Sequence, residues 1–347
     1  MISKRFLWIL TAFCLMFVLA ACGEDDADED MSDGDVDNNV DGDVDGDQEE
    51  INKEPFSFVV ISDTHVRLAG KPDSADYEPE KNQSNFRDAV TRINDEYADA
   101  AFVAITGDLA GCLFSENTDD YGKGEANPAE TFKEIADGLD MPYHAVLGNH
   151  DYQKSYDPEE SEGVSTSDLS AIESVWKKVL GIDPYYSVVH NGVRMLFLNA
   201  NRGDAFTIVC GGCKAEAGCT GSFDQEQLLW LEDELAKDEP VVIFLHHPLF
   251  TDDSKSVFSF LDSFLVEEDD PFYGLAETSK DKILGVFVGH GHIFERDTLF
   301  GSITVYETGS IGDSGGNKDN MHFVEVDPVK PEIKVTLARE GAKYGLK

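Results

Sequence analysis

The sequence predicts an α/β domain in which short buried strands alternate with amphipathic helices and end in polar loops. Short runs rich in β-branched residues recur along the chain, and each is followed by Gly, Asp, Asn or His. Runs of this length between turn residues indicate strands that are buried on both faces. Between them lie segments with apolar residues at helical spacing. In open α/β sheets, ligands bind at the loops that follow the strands.

The predicted elements follow from these runs in chain order. Six runs are predicted as strands, at residues 56–62, 101–106, 144–147, 193–199, 241–245 and 283–288. Four helices are predicted between them, at residues 86–97, 129–138, 167–180 and 224–237. Three late runs have no long helices between them, which favours antiparallel pairing; they are residues 303–307, 322–326 and 332–338.

The first 21 residues are typical of a bacterial export signal. Lys4 and Arg5 precede an apolar run of about 15 residues, which is too short for a comfortable membrane span. The run ends in Leu-Ala-Ala before Cys22, a pattern that resembles a lipobox and predicts lipidation of Cys22. An ordinary secretory peptide that is cut nearby is the alternative. Gly23 after this cysteine favours an anchor at the outer membrane or cell surface over the inner membrane.

Residues 22–54 are predicted to form an acidic, disordered linker before a single domain at residues 55–347. The net charge of the chain is −42, of which the predicted signal contributes +2 and the linker −15, so −29 remains for the domain. Blocks of like charge repel each other and stay extended. Asp41, Asp43, Asp45 and Gly46 also match the opening of a calcium loop, but its twelfth position is Asn52 instead of Glu. A surface this acidic disfavours nucleic acid and anionic membranes as partners.

Four cysteines lie in the predicted domain. They are Cys112, Cys210, Cys213 and Cys219. An even number of cysteines in an exported domain predicts two disulfides, with three possible pairings. The spacing of the last three also permits a structural zinc site. An oxidising compartment favours the disulfides.

Polar side chains that bind metals follow five of the predicted strands. The motifs are Asp63-Thr64-His65, Gly107-Asp108, Gly148-Asn149-His150-Asp151, His246-His247-Pro248 and Gly289-His290-Gly291-His292. Most of these motifs alone are weak evidence, since polar residues commonly begin loops or cap helices, whereas Gly-Asn-His-Asp directly after a strand is moderately specific. Asp, Asn and His are the oxygen and nitrogen ligands of divalent first-row metals, and no thiolate is among them. The set exceeds what one tetrahedral ion needs, so it predicts two ions that share a carboxylate and activate a water to hydroxide between them.

These motifs, in this order, resemble the pattern of the calcineurin-like metallophosphoesterase family. The resemblance extends over about residues 56–338 and implies a four-layer αββα sandwich of two mixed β-sheets, with a dimetal site at the strand-end loops. It implies that Asp63, His65 and His292 bind one ion and that Asp108 bridges both. The ligands that it implies for the second ion are Asn149, His246 and His290.

The resemblance also implies two residues that act without binding metal. His150 is expected to stabilise the phosphate or to protonate the leaving oxygen, and Asp151 to orient its imidazole. The choice of His246 over His247 rests on the His-x-Pro pattern of the family. The metals could be Mn, Fe, Zn or Co, and the substrate is expected to be a small phosphate ester.

Sequence differences between branches of the family indicate which sub-group this chain resembles most. Purple acid phosphatases have a tyrosine soon after the Gly-Asp motif, whereas residues 109–112 here are Leu-Ala-Gly-Cys. We therefore expect no ferric chromophore, and the small cyclic-nucleotide-type phosphodiesterases are the nearest sub-group. No basic residue of the motifs is placed for a dianionic phosphate, which favours diesters slightly over monoesters. The alternative is a catalytically silent binding or scaffold lipoprotein of the same fold, although every ligand position is intact.

Overall fold

In the computed structural model of the chain, the described residues form two β-sheets and five helices, which position the polar strand ends. The structure describes residues 53–68, 79–153, 166–203, 220–251, 265–312, 316–339, 341 and 343–344. The predicted signal and nearly all of the predicted linker, with Cys22, lie outside the described residues. No described helix is long and apolar enough to cross a membrane.

The first sheet has five strands in the order β11-β10-β1-β2-β3. Its strands are β1 (Phe56–Ile61), β2 (Val103–Thr106), β3 (Tyr143–Val146), β10 (His322–Asp327) and β11 (Glu332–Leu337). The three N-terminal strands pair in parallel, and β10 pairs antiparallel with both β1 and β11. The ends of β1, β2 and β3 therefore meet at one edge of this sheet.

The second sheet has six strands in the order β4-β5-β6-β7-β9-β8. Its strands are β4 (Tyr186–His190), β5 (Val193–Phe197), β6 (Val241–Phe244), β7 (Ile283–Val288), β8 (Glu295–Leu299) and β9 (Ile303–Glu307). The four central strands pair in parallel, while β4 and β8 form antiparallel edges. Both sheets are thus mixed.

Helices cover the outer face of each sheet. They are α1 (Pro79–Glu96), α2 (Pro128–Ala136), α3 (Thr166–Leu180), α4 (Gln225–Leu235) and α5 (Phe272–Thr278). Capping residues fix two of the helix starts, because Asn127 accepts a hydrogen bond from the N–H of Glu130 and Asp224 from that of Gln227, both at 2.8 Å. One apolar cluster joins α1, α2 and α3 to the first sheet, and a second joins α4 and α5 to the other.

A third apolar cluster lies between the two sheets and completes the four layers. Phe58 of β1 stacks on Phe102 at 4.9 Å between ring centroids and meets Phe244 of β6 edge-on at 5.7 Å. Aromatic rings from both sheets thus interdigitate in a core that water does not reach. The expected four-layer sandwich of two mixed sheets is confirmed. The late strands differ in part from the expectation, because β9 pairs in parallel with β7 and antiparallel only with β8.

The pH dependence of stability gives a test of this packing at His322 in β10. Its ring is fully buried among Phe294, Tyr344 and Phe287, at centroid distances of 5.2, 5.8 and 6.0 Å. Burial disfavours the charged imidazole and lowers its pKa from 6.5 to about 3. Below pH 6.5 the His322 imidazole is therefore protonated in the unfolded chain but stays neutral in the folded chain, so the free energy of unfolding falls as the pH falls.

We expect the wild type to lose about 1.4 kcal/mol more of its unfolding free energy per pH unit than His322→Phe between about pH 6 and pH 4. Phenylalanine keeps the aromatic packing and removes the titrating group. Urea unfolding of both proteins across this range measures the difference. Equal slopes for the two proteins would show that the buried imidazole is not the titrating group.

Candidate metal centre

Four of the predicted ligands converge at the ends of β1, β2 and β7. They are Asp63, His65, Asp108 and His292, whose ligand atoms all lie within 4.8 Å of one another. His292 Nε2 lies 3.2 Å from Asp63 Oδ1 and 3.2 Å from His65 Nε2. His65 Nε2 lies 3.4 Å from Asp108 Oδ2. This is the first ligand group.

A second group forms beside the first and shares Asp108 with it. Asp108, His246 and His290 offer atoms that again lie within 4.8 Å of one another. His246 Nε2 lies 3.2 Å from Asp108 Oδ2, 3.1 Å from His290 Nδ1 and 3.0 Å from Asn149 Oδ1. Its Nδ1 lies 2.8 Å from the Thr106 carbonyl and donates to it, so Nε2 is the nitrogen that faces the group. His247 is buried beside it, with ring centroids 5.4 Å apart, and is not in the group.

These spacings fit divalent metal ions. At ligand bonds near 2.1 Å, neighbouring ligands of one ion lie roughly 3.0–3.5 Å apart. The separations in both groups fall close to this range. Asp63 Oδ1 is buried and accepts no hydrogen bond of good geometry, although two imidazole nitrogens lie 3.2 and 3.6 Å away. A buried carboxylate oxygen without a hydrogen bond, facing imidazole nitrogens, suits a divalent cation.

The backbone of the ligand loops is bent into an uncommon conformation. Positive φ angles are found at Asp63 (53°), His65 (42°), Asp108 (49°), His290 (75°) and His292 (58°). Few residues other than glycine adopt such angles, which cost about 1–3 kcal/mol each and persist only where the surroundings impose them. Backbone hydrogen bonds join the first two loops, among them those from Asp63 N to the Gly107 carbonyl at 3.0 Å and from His65 N to the Asp108 carbonyl at 2.9 Å.

The glycine before Asn149 lets the third loop approach the shared carboxylate. A Cβ at Gly148 would overlap Asp108 Oδ1. That oxygen accepts a hydrogen bond from the His150 N–H at 2.9 Å, which leaves Asp108 Oδ2 to face both groups. The glycine is therefore required by packing, and Asp108 is oriented by the loop that contains Asn149 and His150.

Electrostatics in the site favour charged carboxylates facing imidazoles. Burial would raise the pKa of Asp63 and Asp108, but the facing imidazoles, led by His292 and His246 respectively, lower both below the ordinary value. Burial would lower the pKa of His246, but Asp108 raises it to about 9. Burial and the charge of His246 lower the pKa of His290. The imidazoles that face the two carboxylates thus favour their charged forms.

His150 lies beside the first group without belonging to it. Its ring meets that of His65 edge-on, with centroids 4.7 Å apart, and its Nδ1 lies 3.4 Å from the Gly111 carbonyl. It begins a short 3₁₀ turn, His150–Tyr152, and remains half-buried. The imidazole therefore stands at the rim of the ligand groups, where a group that acts on a bound ester has to be.

Asp151 has a different task from the one expected. Its carboxylate accepts hydrogen bonds from the N–H groups of Leu109 (3.1 Å), Ala110 (2.9 Å) and Gly148 (2.8 Å). It was expected to orient the imidazole of His150; instead it ties the loop after β2 to the loop after β3. The 3₁₀ turn directs the side chain inward, away from its sequence neighbour. Burial and the nearby Asp108 raise its pKa to about 8.

The disulfide expectation stays a prediction. Cys112 is fully buried. The other disulfide candidates, Cys210, Cys213 and Cys219, lie outside the described residues.

A sixth strand end also supports the site and was missed in the sequence. After β9, Ser310 Oγ and the Gly312 N–H each donate to the Asp63 carbonyl at 2.9 Å, and the Ile311 N–H donates to the Ser62 carbonyl at 3.0 Å. The last residue of β9, Glu307, is buried against Gly291. The same signal that identified the other five motifs, polar residues and glycine after a strand, is present here as Glu-Thr-Gly-Ser.

Comparison with known proteins agrees with this geometry. The family described as calcineurin-like phosphoesterase matches residues 56–294. A probable glycerophosphodiester phosphodiesterase GpdQ of Arcobacter nitrofigilis is 26% identical over 55% of this chain and 56% of its own length. A probable cyclic nucleotide phosphodiesterase of Rhodopseudomonas palustris is 28% identical over 68% of this chain and 71% of its own length. The match thus spans little more than half of the first relative.

Two solved structures share the fold at low sequence identity. A dimetal phosphatase from Danio rerio superposes with a TM-score of 0.52 at 16% identity, over 82% of this chain and all of the other. A purple acid phosphatase from yellow lupin superposes with a TM-score of 0.52 at 15% identity, over 84% of this chain and 53% of the other. At these identities the likeness concerns the fold.

Proposed function

Because the chain belongs to the calcineurin-like phosphoesterase family, we propose that it hydrolyses phosphodiesters with two divalent metal ions. Family membership and the ligand set already make it a metal-dependent phosphoester hydrolase; the preference for diesters is the finer step. The main support for the proposal is the pair of ligand groups that share the Asp108 carboxylate. Two ions that share a carboxylate supply an activated water and offset the charge of the phosphate.

The chain's own residues have separate tasks in this reaction. Asp63, His65 and His292 would hold one ion, Asn149, His246 and His290 the other, and Asp108 both. Their positions are set before substrate arrives, which lowers the reorganisation needed during the reaction. His150 is half-buried at the rim, beside His65, where its imidazole can bind a phosphate oxygen or give a proton to the leaving oxygen.

The preference for diesters rests on the charge around the site. Among the described residues, the groups that most lower the pKa of Asp63 and Asp108 are histidines. A terminal phosphate has two negative charges near neutral pH, whereas a diester has one. Imidazoles are the positive groups that the described part of the site presents, and they suit the single charge of a diester better than the double charge of a terminal phosphate. The two curated relatives are named for phosphodiesterase activity, which agrees with this choice.

The substrate preference can be measured with two chromogenic esters. The protein is stripped of metal, titrated with Mn²⁺ and assayed on bis(p-nitrophenyl) phosphate and on p-nitrophenyl phosphate. We expect kcat/KM for the diester to be higher by about tenfold, equivalent to about 1.4 kcal/mol in the barrier. A strong preference for the monoester contradicts the diester assignment. No recovery with Mn²⁺, Zn²⁺, Co²⁺ or Fe²⁺ contradicts the metal-dependent mechanism.

We also propose that the enzyme is exported and anchored by a lipid on Cys22. The support is the sequence of residues 1–22, with a basic start, an apolar run and small residues before the cysteine. The acidic residues that follow fit a tether between the bilayer and the domain. The proposed location is the outer membrane or cell surface of a bacterial envelope.

A further inference from the structure

Glu307 lies directly behind the turn that contains two of the proposed metal ligands. It is the last residue of β9 and pairs with Val288, the last residue of β7, after which the chain enters the turn at residues 289–292. The side chain of Glu307 is 3% exposed. Burying a carboxylate is costly unless the surroundings compensate it, so its presence at this place requires an explanation.

A second buried carboxylate increases the free-energy cost of burying Glu307. Glu295 of β8 is directly opposite Glu307 in the antiparallel pair and is itself 3% exposed. Like charges in directly opposed positions destabilise a sheet. Burial and then the charge of Glu295 raise the pKa of Glu307 well above its usual value. Packing alone would be better served by an apolar residue.

The contact that Glu307 makes is with Gly291. A Cβ at Gly291 would overlap Glu307 Oε1 and would lie 2.8 Å from its Cδ. The carboxylate therefore occupies the space in which a side chain of residue 291 would stand. The Gly291 N–H donates to the Gly289 carbonyl at 2.9 Å, and neither oxygen of the buried Glu307 carboxylate has a hydrogen-bond partner among the described residues. Glu307 thus packs against the middle of the turn at residues 289–292.

The turn requires a close packing partner because of its backbone conformation. His290 and His292, on either side of Gly291, have φ angles of 75° and 58°. Residues in this region keep their conformation only when neighbouring groups impose it. At the start of the turn, Gly289 packs against Ser62 and Asp63 so closely that a Cβ there would lie 2.7 Å from Asp63 Oδ2. The turn is therefore in close contact with both the loop after β1 and Glu307.

We propose that Glu307 is a positioning residue that fixes the His290–Gly291–His292 turn and thereby the affinity of the site for metal. It acts through Gly291 and binds neither metal nor substrate. The inference rests on the proposed function only in taking His290 and His292 as metal ligands. Outer partners of metal ligands commonly change metal affinity by about 10- to 100-fold when removed.

Three single variants test the proposal by equilibrium dialysis of the metal-free protein against Mn²⁺. We expect Glu307→Ala to weaken Mn²⁺ binding by about 10- to 100-fold, and Glu307→Gln, which keeps the shape and an acceptor oxygen, to stay within about threefold of wild type. Glu295→Ala is the matched control, since it removes an equally buried carboxylate from β8 while Glu307, whose atoms are the nearest to the Gly291 Cβ position, stays in place; it too should stay within about threefold. Thermal unfolding of the metal-free proteins separates a local effect from a loss of fold.

A pair of compensating changes supplies a second test. Gly291→Ala pushes its Cβ into Glu307 and should weaken Mn²⁺ binding, whereas Gly291→Ala in the Glu307→Ala background has room for that Cβ. We therefore expect the double variant to bind Mn²⁺ no more weakly than Gly291→Ala alone. If the two changes acted independently, the loss of affinity in the double variant would be the product of the two single losses. The proposal is overturned if Glu307→Ala binds like wild type, if Glu307→Gln is as weak as Glu307→Ala, or if the two changes are additive. Dialysis needs no substrate, so these outcomes are independent of which ester is hydrolysed, and absence of Mn²⁺ binding by the wild type contradicts the metal centre itself.

Discussion

Asp108→Asn is expected to lower kcat/KM for a phosphodiester by about 10³-fold or more, equivalent to about 4 kcal/mol of transition-state stabilisation. Asp108 is the residue that the two ligand groups share, and its Oδ2 lies 3.4 Å from His65 Nε2 and 3.2 Å from His246 Nε2. Asparagine has one acceptor oxygen and no charge. It cannot hold two cations at once, so the bound metal should fall from two ions per chain to about one.

The same variant should keep its fold, because asparagine has almost the same volume as aspartate. Its oxygen can still accept the hydrogen bond that the His150 N–H donates to Asp108 Oδ1 at 2.9 Å. Asp88→Asn on the exposed face of α1 is the matched control, with the same chemical change away from the site. Metal content by mass spectrometry after dialysis and steady-state kinetics are measured on both. If Asp108→Asn binds two ions with unchanged affinity, Asp108 is not the bridging ligand.

The ligand loops could be predicted from the sequence because they depend on local signals. A buried strand ends where glycine and polar residues begin, and parallel strands bring their ends to one edge. The strand at Ile283–Val288, with His290 and His292 after it, has the predicted bounds. Likewise, the helix predicted at residues 167–180 is found at Thr166–Leu180.

The edge strands could not be predicted in this way. The strand β8 (Glu295–Leu299) reads Glu-Arg-Asp-Thr-Leu, a charged segment whose alternate residues are nevertheless buried. It occupies the place of a crossover helix, because the chain runs out along β8 and returns along β9 in parallel with β7. Because the sequence shows no helical pattern between β7 and β9, it favours antiparallel pairing of β9 with its neighbours. The parallel pairing of β9 with β7 depends on contacts between distant segments.

The contacts that individual side chains make inside the site could not be predicted from the sequence either. Asp151 follows His150 in the chain, which suggested that the two side chains interact, but the 3₁₀ turn places its carboxylate against three backbone N–H groups instead. Glu307 is distant from Gly291 in the sequence, and only the β7–β9 register brings them together. Spacing predicts which residues gather at the edge of a sheet, while the partner of each atom is set by how the loops pack.

His150→Ala is expected to have an effect whose size depends on the leaving group of the ester. If the imidazole gives a proton to the leaving oxygen, an alkyl phosphodiester loses that help entirely, and kcat should fall by about 10²- to 10⁴-fold. A p-nitrophenolate departs without a proton, so bis(p-nitrophenyl) phosphate should lose about tenfold or less. The His150 ring lies at the rim of the ligand groups, 4.7 Å from the His65 ring, and is half-buried, so truncation leaves the ligand loops in place.

The contrast between the two esters decides between the two tasks that His150 could perform. If the imidazole instead binds a phosphate oxygen, both esters should lose activity by a similar factor, because both present the same phosphate group. His150→Gln serves as the matched variant, since its amide can donate a hydrogen bond to phosphate but cannot transfer a proton. We expect Gln to resemble Ala on the alkyl ester. Restoration of alkyl ester hydrolysis by Gln would assign His150 to phosphate binding, and unchanged kcat in both variants would remove it from the reaction.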